Sequence, residues 1–372
     1  MKLNKGEWGE PYAALRLIGD GKLYIADEDG NKRADEWMNV LEIIRNETAE
    51  RTVTYSKNPD DTMVSIYVNG EERAYLPASD FDEMADALAG AISDGKGHSF
   101  SVSESLEEFF ALVEVLHPKA KSIDKSDLFL TTLDPRNGIE RSALGFSIKS
   151  KFGQNPTLFN TAPASAVRYK VNGMDDSLMK EVNSLVDDKG HAAVLARCVA
   201  LKDSDCSLEY SGFALAKRAG CEAFKDNLDL LDPRLPFVIE RMLWNHFFGG
   251  QAETDLEEVV ALIVAQNPCG ITRPETKYPY MVKSFLYAAY CGMTASTLWD
   301  GRSEVNGGFI TVGEDGEVLA HYALESESFK EYLYKNCYLE FPATSEKHGD
   351  YAKVYKDGGE YYFNLNFQIR YR

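Results

Sequence analysis

The chain has 372 residues, of which 44% are hydrophobic and 12% aromatic. That composition excludes a disordered protein and leaves room for two or three domains with real cores. A net charge of −19 argues against a general nucleic-acid binder, because phosphate contact needs Lys and Arg.

No apolar run approaches the roughly 20 residues of a membrane helix, and residues 1–8 lack the apolar stretch of a secretory signal, so a cytoplasmic location is expected. The six cysteines all lie in the second half and form no Cys-x-x-Cys pair, which reads as reduced thiols rather than a zinc site.

In chain order, Asn4-Lys-Gly-Glu7 fits a capping box opening a helix through Tyr12, Ala13, Leu15 and Leu17 to about Gly19. Pro11 in its interior is expected to kink it or shift its start. Val40–Ile44, Arg51–Tyr55 and Met63–Tyr67 alternate as strands, with turns at Asn58-Pro-Asp-Asp61 and Asn69-Gly70. Asp82–Ser93 and Ser105–Leu116 read as amphipathic helices.

The most informative stretch follows. Asp127–Leu133 and Leu144–Ser150 alternate apolar and polar residues on either side of Asn137-Gly138, a hairpin signal. A turn centred near 138 sets residue 127 opposite residue 149. Leu128, Leu130, Phe146 and Ile148 then face the core, and Asp127, Ser147 and Lys149 share the other face. The surrounding segment, His117 to Lys170, holds nine Lys and Arg against four Asp and Glu, a local balance of +5 in an acidic chain. A single basic surface on an acidic body favours a defined docking geometry.

From about 175 to 295 the spacing turns helical, in Met179–Val186, Phe237–Phe248, Asp255–Ala265 and Tyr280–Ala289. His246, in an apolar helix, reads as a packed core histidine. Strands return after Gly301, in Gly307–Val312, Val318–Tyr322 and Tyr361–Tyr371. The expected organisation is α+β in three parts: residues 1–175 carry the hairpin, 176–298 are mainly helical, and 299–372 are β-rich.

An aspartate and a lysine on the open face of a hairpin form the skeleton of a metal-dependent nuclease. Mg²⁺ takes oxygen ligands and assists phosphodiester hydrolysis by activating water and stabilising charge on the phosphate. Asp127 is the anchor ligand in this reading, and Lys149 orients the water or stabilises the phosphorane. The second position of an acid-x-Lys pair is a serine, Ser147, so a further carboxylate must come from elsewhere. Glu7 and Glu10 are the candidates. A capping box with Asn4 would engage Glu7, which favours Glu10. Asp134 would lie roughly 23 Å along the strand, at about 3.3 Å per residue, too far to share the ion.

At these residues the chain resembles the HpaII family of type II restriction endonucleases. The likeness lies in Asn4-Lys-Gly-Glu-Trp-Gly-Glu10, Leu41-Glu-Ile-Ile-Arg45 with Glu47, Gly145-Phe-Ser-Ile-Lys-Ser150 with Pro156-Thr-Leu-Phe-Asn160, Trp299-Asp-Gly301, Asn306-Gly-Gly308 and Leu365-Asn-Phe-Gln-Ile-Arg370. The resemblance implies a PD-(D/E)XK-type nuclease core, a mixed sheet flanked by helices. It also implies Mg²⁺-dependent cutting of double-stranded DNA at a short palindrome, CCGG for the namesake.

DNA contact is expected from Lys151, Asn160, Arg168 and Lys170 near the catalytic strand, and from Asn366, Gln368 and Arg370 on one face of the last strand, since Arg suits guanine and Asn or Gln suits adenine. A palindromic site implies a homodimer, and host protection implies a cognate DNA methyltransferase. A catalytically inactive DNA-binding relative and a nuclease of relaxed specificity are the alternative readings.

Overall fold

The structure is a computed structural model and describes residues 2–117, 126–153, 155–188, 193–217, 219–250, 253–302, 306–322, 326–342 and 351–372. Lys119, Lys121, Asp124 and Lys125 of the basic segment lie outside the described residues. The elements run α1 (Lys5–Asp20), β1 (Lys22–Ala26), β2 (Lys32–Thr48), β3 (Arg51–Ser56), β4 (Met63–Val68), β5 (Glu71–Pro77), α2 (Ala78–Asp94), α3 (Glu104–Leu112), β6 (Leu128–Leu133) and β7 (Glu140–Ser150). Then come β8 (Thr157–Phe159), β9 (Val167–Asn172), α4 (Asp176–Ser184), α5 (Val194–Asp203), β10 (Ser207–Phe213), α6 (Ala223–Leu231), α7 (Leu235–Phe248), β11 (Glu253–Asp255), α8 (Leu256–Gln266) and α9 (Pro274–Tyr290). The chain closes with β12 (Gly308–Val312), β13 (Val318–Tyr322), α10 (Ser326–Asn336), β14 (Cys337–Glu340), β15 (Val354–Asp357), β16 (Glu360–Leu365) and β17 (Gln368–Tyr371).

The chain is α+β, as expected, but its two compact units do not follow the expected three-part order. Residues 1–156 and 303–332 make the first, and 157–302 with 333–372 the second. The reason is strand pairing. β12 lies parallel to β7, and β13 lies beside β12 and parallel to β1, so residues 308–322 complete the sheet that carries the hairpin.

That first-unit sheet has nine strands in the order β1-β13-β12-β7-β6-β2-β3-β4-β5. β1 also pairs with β2, so six of the strands return on themselves as a closed ring. The 17-residue β2 makes this possible: its first half pairs with β1 and its second half with β6 and β3. Leu128, Leu130, Phe146 and Ile148 are all buried, with the helix side chains Trp8, Leu15, Phe81 and Leu88, in one core. The core face of the hairpin is therefore the one the two-residue alternation indicated.

The second unit holds two four-stranded sheets, β10-β9-β16-β15 and β11-β14-β17-β8. Phe159 stacks on Phe224 and Phe367 at 5.3 Å each and meets Phe285 edge-on at 5.4 Å. His246 is buried as expected, its Nδ1 2.8 Å from Thr254 Oγ1. The strand expected over 361–371 is two strands. The chain leaves one sheet after Leu365 and enters the other at Gln368, turning about Asn366, whose amide donates to the Ala162 carbonyl and accepts from Ser165 and Phe367.

Candidate active site

Helix α1 sets the site from one side. Asn4 and Glu7 close the capping box in both directions, at 2.9 and 3.0 Å, so Glu7 is occupied in starting the helix. The helix begins at Lys5 and runs unbroken to Asp20 despite Pro11. The start is therefore not displaced: Pro11 is buried in the core-facing surface of the helix, where packing outweighs one forfeited backbone bond. At Gly9 the helix presses on β7. A Cβ there would lie 2.3 Å from Ser150 Cβ, so only glycine permits the approach. The next residue, half-buried Glu10, is thereby brought toward the end of β7 that carries Lys149.

The hairpin sets the other side, in a register different from the expected one. Asp134 closes the loop, its N–H donating to the Ile139 carbonyl while its carboxylate accepts from Arg136 and Asn137. The connection therefore spans Pro135 to Gly138 and is not a two-residue Asn-Gly turn. A bulge on β7, with Ala143 at φ +53°, takes back one of the three residues by which this loop displaces the pairing from a turn centred at 138. Leu128 consequently pairs with Phe146, which places Asp127 level with Ser147 rather than opposite Lys149. Asp127 is fastened there three times. Its N–H donates to the Phe146 carbonyl at 2.8 Å, and its Oδ2 accepts the Ile148 N–H at 2.6 Å and the Ser147 hydroxyl at 3.2 Å.

Lys149 completes the set electrostatically. Burial pushes its ammonium below the ordinary lysine value, and the carboxylates of Asp127 and Glu10 pull it back up. The same two acids that act on Lys149 are the two proposed from sequence as metal ligands. Among the described residues, no three of His, Cys, Asp and Glu form a metal-holding group. Two carboxylates nonetheless suit Mg²⁺, which commonly keeps waters and substrate phosphate as its remaining ligands. Asp134, buried and committed to Arg136, whose guanidinium holds it below the usual carboxylate range, is a turn residue.

Two features were not read from the sequence. Thr311 of β12 lies beside Lys149, and Phe309 beside Ser147, in the parallel pairing. Asn306 seats that strand: its Oδ1 accepts the Gly145 N–H at 2.7 Å, and the Gly307 N–H donates to the Gly145 carbonyl at 2.9 Å. A Cβ at Gly307 would strike that carbonyl and the Phe146 ring, both at 2.7 Å, which accounts for the Asn-Gly-Gly run. The run was a visible signal without a visible partner.

The residues expected to contact DNA fall in both units. Lys151 belongs to the first unit and lines a pocket with Lys5, Phe152, Gly153 and Asp315. The rest lie in the second. Asn160 is exposed. Arg168 pairs with Asp357 at 2.6 Å and Lys170 with Glu360 at 3.1 Å. Gln368 and Arg370 both bond to Glu340. Asn366 is wholly enclosed, so the expectation that it shares an open face with Gln368 and Arg370 is corrected: it is the pivot at which the chain changes sheets.

The family profile described as HpaII restriction endonuclease matches residues 4–371. The type II restriction enzyme HpaII of Haemophilus parainfluenzae is 30% identical over 370 residues, which cover 99% of this chain and 98% of that enzyme. No solved structure matches the chain significantly. A match from one end to the other, passing through the strand that holds Ser147 and Lys149, shows that the chain belongs to the HpaII family of type II restriction endonucleases.

Proposed function

We propose that the chain makes Mg²⁺-dependent double-strand cuts at a short palindromic DNA site, CCGG-like, from a PD-(D/E)XK-type core. The observation that carries this reading is that Asp127, bonded to Ser147 and Ile148, and Glu10, from the helix pressed on β7 at Gly9, both bear electrostatically on the Lys149 ammonium. Asp127 and Glu10 would hold the ion. When bound, it supplies an activated water and neutralises charge on the phosphate. The protein's own part is positional. The Ile148 N–H and the Ser147 hydroxyl fix the Asp127 carboxylate, so Ser147 acts as a positioning residue rather than a ligand. Lys149, with its proton affinity lowered by burial, is suited to exchange a proton with water or to stabilise developing negative charge.

Lys151 would hold backbone phosphate. Asn160, Arg168, Lys170, Gln368 and Arg370 would serve recognition from the second unit, with Asn366 shaping the strand they flank. A two-fold palindrome is best met by a homodimer, and a DNA methyltransferase of the same specificity would protect host DNA in the cytoplasm.

The test is a plasmid carrying one CCGG site, incubated with protein in Mg²⁺ or in EDTA, with the ends sequenced. One discrete cut that EDTA abolishes is expected. Smearing, or an intact plasmid in Mg²⁺, would overturn the proposal.

A further inference from the structure

We propose that the outer face of the sheet β10-β9-β16-β15 is a DNA-contact surface whose cations, Arg168 and Lys170, are masked at rest by Asp357 and Glu360. On this account DNA phosphates displace the two acids. The inference rests on the nuclease reading and adds to it a device that suppresses binding to the wrong DNA.

The pairing puts the groups on one face. Arg168 lies level with Asn364 and Lys170 with Tyr362, while Tyr362 is level with Tyr355 and Glu360 with Asp357. The alternate residues of β9, Val167, Tyr169 and Val171, are buried, so the Arg168 and Lys170 face is the outer one. The Arg168 guanidinium lies 3.7 Å from the Tyr362 ring centre, stacked and held in place. It meets Asp357 through Nη2 alone. Its Nε is buried and has no acceptor among the described residues. The fork is thus oriented but only partly satisfied, whereas phosphate or guanine engages an arginine through two bonds.

The two acids flank the turn Gly358-Gly359, both at positive φ, so one tight hairpin carries both masks. Asp357 and Glu360 side chains are 61% and 55% exposed, against 28% and 33% for Arg168 and Lys170. The acids can therefore swing into water without crossing protein, while the cations stay in place. Exposed ion pairs of this kind are weak and yield to a stronger anion. Glu209 lies level with Lys170 on its other side, so the resting face is more acidic than basic. Loosely held DNA is repelled, and only a duplex that makes enough other contacts unmasks the cations.

The experiment uses the full chain carrying Lys149→Ala, in Ca²⁺, with two labelled duplexes, one containing CCGG and one scrambled. Arg168→Ala with Lys170→Ala should weaken binding at least about tenfold and flatten the salt dependence by roughly 1.8 in log–log slope, two lost phosphate contacts at about 0.9 each. Asp357→Asn with Glu360→Gln should tighten binding to the scrambled duplex at least about fivefold and narrow the preference for CCGG. Arg168→Lys, which keeps charge and removes the fork, should fall between wild type and the double alanine variant. Unchanged affinity and slope in the double alanine variant would overturn the surface assignment. Unchanged scrambled-duplex affinity in the Asp357/Glu360 variant would overturn the masking. If the unmodified protein cuts plasmid at CCGG while either of these results holds, the nuclease reading stands and this inference alone fails.

Discussion

The Asp127 carboxylate accepts the backbone N–H of Ile148 at 2.6 Å, so the candidate metal ligand is tied to the residue immediately before Lys149. This bond ties Asp127 directly to the strand that carries Lys149, independently of the loop joining the two strands. Asp127→Asn keeps the shape and one acceptor oxygen but removes the charge that acts on Lys149. It should abolish Mg²⁺-dependent cleavage with little change in melting temperature. Asp134→Asn should do the reverse, because Asp134 is buried under Arg136 and Asn137 and closes the turn. It should keep most of the cleavage and melt at a lower temperature. The opposite pattern in a paired cleavage and melting assay would make Asp134 the catalytic acid.

Lys149→Ala removes the amine on which Asp127 and Glu10 act. Cleavage should fall at least about a hundredfold, the usual loss when a charge-stabilising group leaves such a site. DNA binding in Ca²⁺ should persist. A Lys149→Ala protein that cuts at the wild-type rate would remove this residue from the mechanism.

Much of this geometry was legible, and the limits have physical causes. The two-residue period identified the core face of the hairpin because burial imposes that period directly. The register was less legible. Asn137-Gly138 suggested a two-residue turn, but Asp134 organises a longer loop and Ala143 hosts a bulge at positive φ, a conformation that alanine does not advertise. Capping was readable at Asn4 and Glu7, since both partners are local. The pairing of β12 with β7 joins residues more than 150 positions apart and leaves no local periodicity, so Thr311 went unseen. Asn366 was misplaced because alternation cannot report a strand that ends and restarts in another sheet.

Gly9 offers a test of how α1 is held. Gly9→Ala puts a methyl group into Ser150 and should cost about 1–3 kcal/mol, as overpacking does. Because Glu10 follows directly, the variant should also need more Mg²⁺ for half-maximal cleavage. Ser150→Gly in the same chain should restore part of both losses. A Gly9→Ala protein with unchanged melting temperature and metal requirement would mean that the contact does not position Glu10.

Two buried histidines predict a pH dependence of stability. Burial pushes both His246 and His321 down from 6.5 to about 3. Between those values the unfolded chain binds protons that the folded chain refuses, so stability falls as pH falls through that window. At pH 5 the loss is about 2 kcal/mol for each, taking 1.36 kcal/mol per unit below 6.5. His246→Asn, which retains a polar atom toward Thr254, and His321→Gln, which retains one toward Thr311, should each flatten the fall in melting temperature between pH 7.5 and 5. Parallel melting curves for wild type and both variants would exclude these residues as its source.

Glu10 and Ser147 separate ligand from positioner. Glu10 reaches the site from α1 and bears on Lys149, whereas the Ser147 hydroxyl donates to Asp127 at 3.2 Å, alongside the shorter bond from Ile148. Removing the hydroxyl leaves the stronger of the two bonds intact. Removing the Glu10 charge leaves a hard cation with one anionic ligand from this pair. Glu10→Gln should therefore raise the Mg²⁺ needed for cleavage and lower the maximal rate, with little change in melting temperature. Ser147→Ala should cost less in rate than Glu10→Gln, because the Ile148 N–H still holds the Asp127 carboxylate, and should leave the Mg²⁺ requirement near wild type. Mg²⁺ titrations of cleavage by both variants decide the matter. A normal Glu10→Gln enzyme beside a dead Ser147→Ala enzyme would transfer the ligand role to the strand and leave α1 as scaffold.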